Sequence, residues 1–214
     1  MEKQTIRYLI GGIVLIIFHI IGAIGLRSPD FSDYMASLTW FHILVSAACI
    51  FLTQKRFPDG QVLRVLIVFV AGYLIEVIGT NTGYPFGAYN YGTNLGVKLF
   101  NTPIILGVNW VILSYGASNI VSQLYIRVWI KALFGGILMV IFDFMLEPFA
   151  IYFKLWEWQT VDGLPPVQNY IFWFVFGFIF CYLLSYSRKQ VINPVAQLGF
   201  IIYLFFVGSF IPQL

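Results

Sequence analysis

Three acids stand inside or at the ends of long apolar runs: Glu76, Asp143 and Glu147. A carboxyl at such depth has to be paired, hydrated or kept protonated, so each is a candidate for chemistry. Asp143 and Glu147 are four residues apart, which places them on one helix face about 6 Å apart along the axis. Pro148 disfavours helical geometry at Glu147, so that acid is expected at the outer end of its helix with Asp143 one turn deeper. Glu76 lies about one turn before Gly79, where its own apolar run stops, and both runs head toward the same face. The three carboxyls are therefore expected to converge. Carboxyls crowded in an apolar setting resist ionising together, and one that keeps its proton serves as an acid while another serves as a base. The competing reading leaves the acids at headgroup level or pairs them with Arg27 or Lys98; for three acids together the functional reading is preferred.

The segment after Glu76 runs Gly79-Thr80-Asn81-Thr82-Gly83-Tyr84-Pro85-Phe86-Gly87-Ala88-Tyr89-Asn90-Tyr91-Gly92. Glycine permits tight turns, while Tyr84, Phe86, Tyr89 and Tyr91 supply flat apolar faces with polar tips. Trp156-Glu157-Trp158 adds two indoles from a second loop. An aromatic belt at a membrane interface accounts for some of these side chains, but it does not call for interleaved glycines. Aromatic faces also stabilise cations. Asn109, beside Trp110, reads either as part of this site or as an interhelical hydrogen bond. His19 and His42 have no partners at metal-ligand spacing and read as core or interface histidines. Cys49 and Cys181 lie in apolar runs without a partner at redox or metal spacing and read as packing residues. No metal or other cofactor is expected.

The elements that position these groups follow from composition. The chain is 60% hydrophobic and 10% charged over 214 residues, against about a quarter charged in a soluble domain, so lipid must cover its surface. A spanning helix takes roughly 20 apolar residues, and segments near 7–26, 38–53, 61–79, 102–121, 128–147, 168–186 and 195–212 qualify. The reading is all-α: a polytopic bundle of seven transmembrane helices forming one domain over 1–214, with breaks at Ser28-Pro29-Asp30, Phe57-Pro58-Asp59-Gly60, Pro165-Pro166 and Asn193-Pro194. The first run lacks a small-residue cleavage site and is counted as a retained helix. Lys3, Arg7, Lys55, Arg56, Arg64, Arg127, Lys131, Arg188 and Lys189 fall at one end, and Arg27, Lys98 and Lys154 at the other. This bias predicts a multi-pass protein of the cytoplasmic membrane, N-terminus inside and C-terminus outside, with loops 80–101 and 148–167 facing outward. Residues 195–214 contain no lysine, which excludes a retinal Schiff base in the last helix.

Two patterns carry a resemblance. Glu76-x-x-Gly79 followed by Gly83-Tyr84-Pro85-Phe86-Gly87-Ala88-Tyr89-x-Tyr91, Pro103 and Asn109-Trp110, and then Asp143-Phe144-Met145-Leu146-Glu147-Pro148-Phe149-Ala150 with Trp156-x-Trp158, resemble the carotenoid hydratase family of integral membrane proteins. The likeness covers about residues 70–160. It implies cofactor-independent addition of water to the terminal double bond of an acyclic carotenoid end, as in gamma-carotene-like or bacterioruberin-precursor substrates. It also implies a carotenoid substrate drawn from the bilayer, membrane lipids as surroundings, association with other carotenoid enzymes and no nucleic acid. Chemistry then assigns roles. Protonating the alkene needs an acid, and capturing the resulting tertiary cation needs a water and a base. Glu76, Asp143 and Glu147 would divide the acid and base roles, and Tyr84, Phe86, Tyr89, Tyr91, Asn109, Trp110, Trp156 and Trp158 would form the substrate pocket. Two other readings use the same residues: a proton-initiated carotenoid cyclase, and a carotenoid-binding or transport protein with a proton relay. Oxidative hydroxylation lacks its machinery, since there is no Gly-x-Gly-x-x-Gly after a strand and no histidine cluster for iron.

Overall fold

A computed structural model describes residues 2–186 and 191–211. Arg188 and Lys189, counted above at the basic end, and the terminal Leu214 lie outside the described residues. Long runs of Ile, Leu, Val and Phe close their backbone hydrogen bonds within the segment, and helices result. In chain order they are α1 (Lys3–Arg27), α2 (Ser32–Ser37), α3 (Thr39–Thr53), α4 (Gln61–Thr82), α5 (Ile105–Val121), α6 (Val128–Tyr152), α7 (Val167–Ser185) and α8 (Pro194–Gly208). Helices α1, α4, α6 and α7 are long and apolar enough to cross a membrane, while α3, α5 and α8 are apolar but shorter. The seven apolar segments of the sequence coincide with α1 and α3 to α8. Helix α2 is additional. Ile13, Ile20 and Ile24 of α1 and Leu63, Leu66 and Leu74 of α4 are exposed on the outside of the bundle, the inverse of a soluble surface and the mark of a multi-pass membrane protein.

Side-chain amides tie the helix ends together. At one end, Gln4 Nε2 donates to Thr53 O at 2.7 Å, and Asn193 caps α8 while donating to Ile50 O and Asn119 Oδ1, both at 2.8 Å. This end gathers the N-termini of α1 and α8 and the C-termini of α3 and α5. At the opposite end the Arg27 guanidinium donates to Ser209 O and Oγ at 2.9 Å and lies 4.1 Å over the Phe210 ring.

Two sequence expectations need correction here. Helix α4 continues past Gly79 to Thr82, where Gly83 closes it at φ 73° and donates its N–H to Gly79 O. Helix α6 runs through Pro148 to Tyr152, so Glu147 is an interior helical residue. The proline removes the hydrogen bond to Phe144 O, but a helix already five turns long and packed among neighbours tolerates one missing bond. The outward loops are not wholly irregular either. They carry the strands β1 (Tyr89–Tyr91), β2 (Lys98–Leu99), β3 (Thr102–Pro103) and β4 (Trp156–Trp158), with β1 antiparallel to β4 and β2 to β3. The molecule is thus nearly all-α, with two short ribbons.

Candidate active site

The site grows from a period-2 pattern in two tripeptides. Side chains alternate along a strand, so Tyr89 and Tyr91 share one face of β1, and Trp156 and Trp158 share one face of β4. The ribbon registers Tyr89 with Trp158 and Tyr91 with Trp156, while Asn90 and Glu157 take the exposed face. Four aromatic donors are thereby set side by side against the ends of α4 and α6.

Their targets are the carboxyls. Glu76 Oε2 accepts from Tyr89 Oη at 2.7 Å and Tyr91 Oη at 2.6 Å, and its Oε1 accepts from Trp110 Nε1 at 2.8 Å. Glu147 Oε2 accepts both indoles, Trp156 Nε1 at 3.0 Å and Trp158 Nε1 at 2.8 Å. Asn169 on α7 spans the remaining pair, donating to Asp143 Oδ2 at 2.7 Å and to Glu147 Oε1 at 3.4 Å. An indole N–H can only donate, so Glu76 and Glu147 are surrounded by groups that suit a carboxylate. Asp143 differs. It is wholly buried, and no donor among the described residues reaches its Oδ1. Burial first, and then the Glu76 charge, hold the Tyr89 and Tyr91 phenols well above the usual tyrosine range, so both stay O–H donors.

Close approach makes this possible at two glycines. Gly72 and Gly79 flank Glu76 on one face of α4. A Cβ at Gly72 would lie 2.7 Å from Trp110 Cβ, and one at Gly79 would lie 2.7 Å from Tyr89 Oη. Only glycine lets both rings pass the helix to reach the acid.

Glu76, Asp143, Glu147, Phe86, Tyr89, Tyr91, Asn109, Trp156 and Trp158 line one small cavity of about 30 Å³, room for about one water. Trp110 does not line it: its indole donates to Glu76 and its ring stacks at 4.3 Å on Trp173, which does. Tyr84 stands apart from the other pocket residues expected from the sequence: it is 61% exposed and meets Phe172 edge-on at 5.4 Å. Sequence reasoning missed Asn169 and Trp173, although an Asn and a Trp four residues apart in an apolar run share a helix face and were legible as such. The Arg27 and Lys98 pairings considered for the acids are not those found. Arg27 serves Ser209, and the Lys98 ammonium donates to Tyr91 O.

A second, apolar cavity of about 310 Å³ adjoins the first. Leu106, Asn109, Leu146 and Trp156 line both. The larger one continues between α1, α3 and α8 along Phe18, His42, Phe142 and Tyr203, and its lining includes Ile21 and Phe41, which are exposed at the bundle surface. Among the described residues no three His, Cys, Asp or Glu side chains are grouped as metal ligands would be.

Protein comparisons bear on this arrangement. The chain is 26% identical over 196 residues to the bisanhydrobacterioruberin hydratase of Haloarcula japonica, covering 81% of this chain and 64% of that protein. This chain therefore spans less than two thirds of that relative's length. No solved structure matches the chain. The family described as carotenoid biosynthesis protein matches residues 38–212, a range that contains all three carboxyls, the donors that hold them and most of the apolar cavity's lining, and the chain belongs to that family.

Proposed function

We propose that this protein adds water across the terminal carbon–carbon double bond of an acyclic carotenoid end group, giving a tertiary alcohol. The family and the hydratase relative point to this substrate class. The observation that carries the reading is the shared wall: a polar, one-water cavity holding three carboxyls opens beside an apolar cavity of about 310 Å³. That volume is at the low end of ligand pockets, about 300–1,000 Å³, and suits the end of a polyene with its remainder in lipid. Ile21 and Phe41 mark the side from which such an end would enter.

The roles follow from the hydrogen bonds. Asp143 supplies the proton to the less substituted alkene carbon, because its Oδ1 is the one oxygen of the three carboxyls to which no donor among the described residues reaches. Glu76, held by two phenol O–H groups and one indole N–H, and Glu147, held by two indole N–H groups and the Asn169 amide, act as the carboxylates that stabilise the tertiary cation electrostatically. The faces of Trp156, Phe86 and Trp173 add cation–π stabilisation. Water then bonds to the cationic carbon and loses a proton, so the net change is one water per alkene, with no redox step and no cofactor.

The surrounding architecture belongs to the same proposal. One domain of seven spans sits in the cytoplasmic membrane with the N-terminus inside, so that the carboxyl site lies near the outer face, within reach of both lipid and water. Association with other carotenoid enzymes would shorten the transfer of an insoluble substrate.

The test uses a host that accumulates lycopene or gamma-carotene. Expression of the chain in oxygen-18 water is expected to give a carotenoid heavier by one water, with the label in its hydroxyl. An unlabelled hydroxyl would assign the reaction to dioxygen and overturn the proposal. An isomeric product of unchanged mass would identify a cyclase, and unaltered pigment a binding or transport protein.

A further inference from the structure

His19 and His42, unremarkable in the sequence, meet in the structure. His42 Nε2 lies 3.2 Å from His19 Nε2, with the rings nearly perpendicular at 85°. His19 Nδ1 is 2.8 Å from Leu15 O. A carbonyl only accepts, so His19 Nδ1 carries the hydrogen and, in the neutral ring, His19 Nε2 carries the lone pair. His42 Nε2 must then be the donor between the rings. That fixes the remaining nitrogen, His42 Nδ1, as an unprotonated base. His42 lines the apolar cavity together with Asn109, Leu146 and Trp156, the residues through which that cavity adjoins the carboxyls. Phe206 stacks on the His42 ring at 5.8 Å, and Tyr203, whose hydroxyl donates to Ser46 Oγ at 3.1 Å, packs edge-on against His19 at 4.7 Å. The ring is held on several sides in the wall of the chamber that would contain the substrate end.

We propose that His42 is a catalytic base of the hydration, and that His19 is the positioning residue that fixes its tautomer; this rests on the hydratase reading above. Asp143 protonates the alkene, water oxygen bonds to the tertiary carbon, and the water proton passes to His42 Nδ1. The imidazolium so formed still donates through Nε2 to His19. Proton loss from His42 and reprotonation of Asp143 by water restore the enzyme, leaving alkene plus water converted to alcohol. Acid and base then belong to different helices and to adjoining cavities, Asp143 lining the small one and His42 the larger, which lets proton and water approach the double bond separately.

Deuterated water separates this role from a structural one. Reversible protonation by Asp143 introduces deuterium at the vinylic carbon of recovered substrate whether or not water captures the cation. His42→Gln and His42→Phe are expected to lower alcohol formation at least tenfold while this exchange continues, whereas Asp143→Asn abolishes both. His19→Phe should lower alcohol formation, and His19→Gln, whose side-chain oxygen can accept from His42, should restore part of it. Undiminished alcohol in the His42 variants would overturn the proposal. Parallel loss of alcohol and exchange would also overturn it, by making the pair an interhelical clamp. Wild-type protein that yields neither alcohol nor exchange would instead refute the hydratase reading itself.

Discussion

Tyr91 and Trp156 face each other across the β1–β4 ribbon, yet they serve acids on different helices: Tyr91 donates to Glu76 on α4 at 2.6 Å, and Trp156 to Glu147 on α6 at 3.0 Å. The ribbon therefore fixes the separation of two carboxyls that its own strands do not contain. Movement of one strand would disturb both acids, which makes the ribbon a positioning device for the site.

The first prediction tests that device. Trp158→Phe keeps an aromatic side chain but, in exchanging indole for the smaller phenyl, removes one of two donors to Glu147 Oε2. A hydrogen bond to a charged group contributes roughly 1.5–3 kcal/mol, so turnover should fall about tenfold or more while the protein still inserts. Glu157→Gln, on the exposed face of the same strand, should leave turnover near the wild-type value. Equal effects of the two changes, measured as alcohol formed per unit of membrane-inserted protein, would remove the ribbon from the site.

The acids themselves give the second prediction. Asp143→Asn, Glu76→Gln and Glu147→Gln preserve shape but can neither deliver a proton nor carry negative charge. Each is expected to reduce turnover by about 10²-fold or more. Pigment analysis with protein levels matched by immunoblot reads this directly, and full activity in all three variants would refute the assignment.

Much of this site was legible before the structure. The i, i+4 spacing of Asp143 and Glu147, Glu76 in a neighbouring apolar run, and the aromatic-glycine loop were enough to expect convergence. The hydrogen bonds from Tyr89, Tyr91, Trp156 and Trp158 were not legible, because they depend on a three-residue ribbon linking positions nearly seventy residues apart, and strands this short leave no periodic signal. Pro148 misled for a related reason. Its local preference to end a helix is a weak term, and packing in the bundle overrode it. The His19–His42 pair leaves no signal in the sequence, because the two residues stand 23 positions apart on different helices and meet only through the packing of α1 on α3.

The third prediction concerns sidedness. Basic residues crowd the end where α1 begins and α3 finishes, and the positive-inside rule assigns that end to the cytoplasm. A reporter fused after Leu214 is expected outside the cytoplasmic membrane, and one fused at the N-terminus inside. A cytoplasmic C-terminal reporter would overturn the orientation if the N-terminal reporter is then outside, and the helix count if it is inside, in which case one of the shorter helices, α3, α5 or α8, does not cross.

The last prediction isolates a single close approach. Gly79 sits one turn from Glu76, and a Cβ there would lie 2.7 Å from Tyr89 Oη and 3.0 Å from Phe86 Cδ2. Alanine is the better helix former by about 0.5–1 kcal/mol, so Gly79→Ala should not weaken α4 by itself. What it does is push the Tyr89 hydroxyl off Glu76 Oε2, and activity should fall by about tenfold. Tyr89→Phe removes the same hydrogen bond by deleting the hydroxyl, and should cost a similar factor. The two changes act on one contact, so their combination is not expected to multiply: once the hydroxyl is gone, the alanine methyl has lost its nearest obstruction. A double-mutant cycle on alcohol formation should therefore show Gly79→Ala costing clearly less in the Tyr89→Phe background than in wild type. Full multiplication of the two factors would place the effect of Gly79 elsewhere, most directly on Phe86, and would detach it from the hydrogen bond to Glu76.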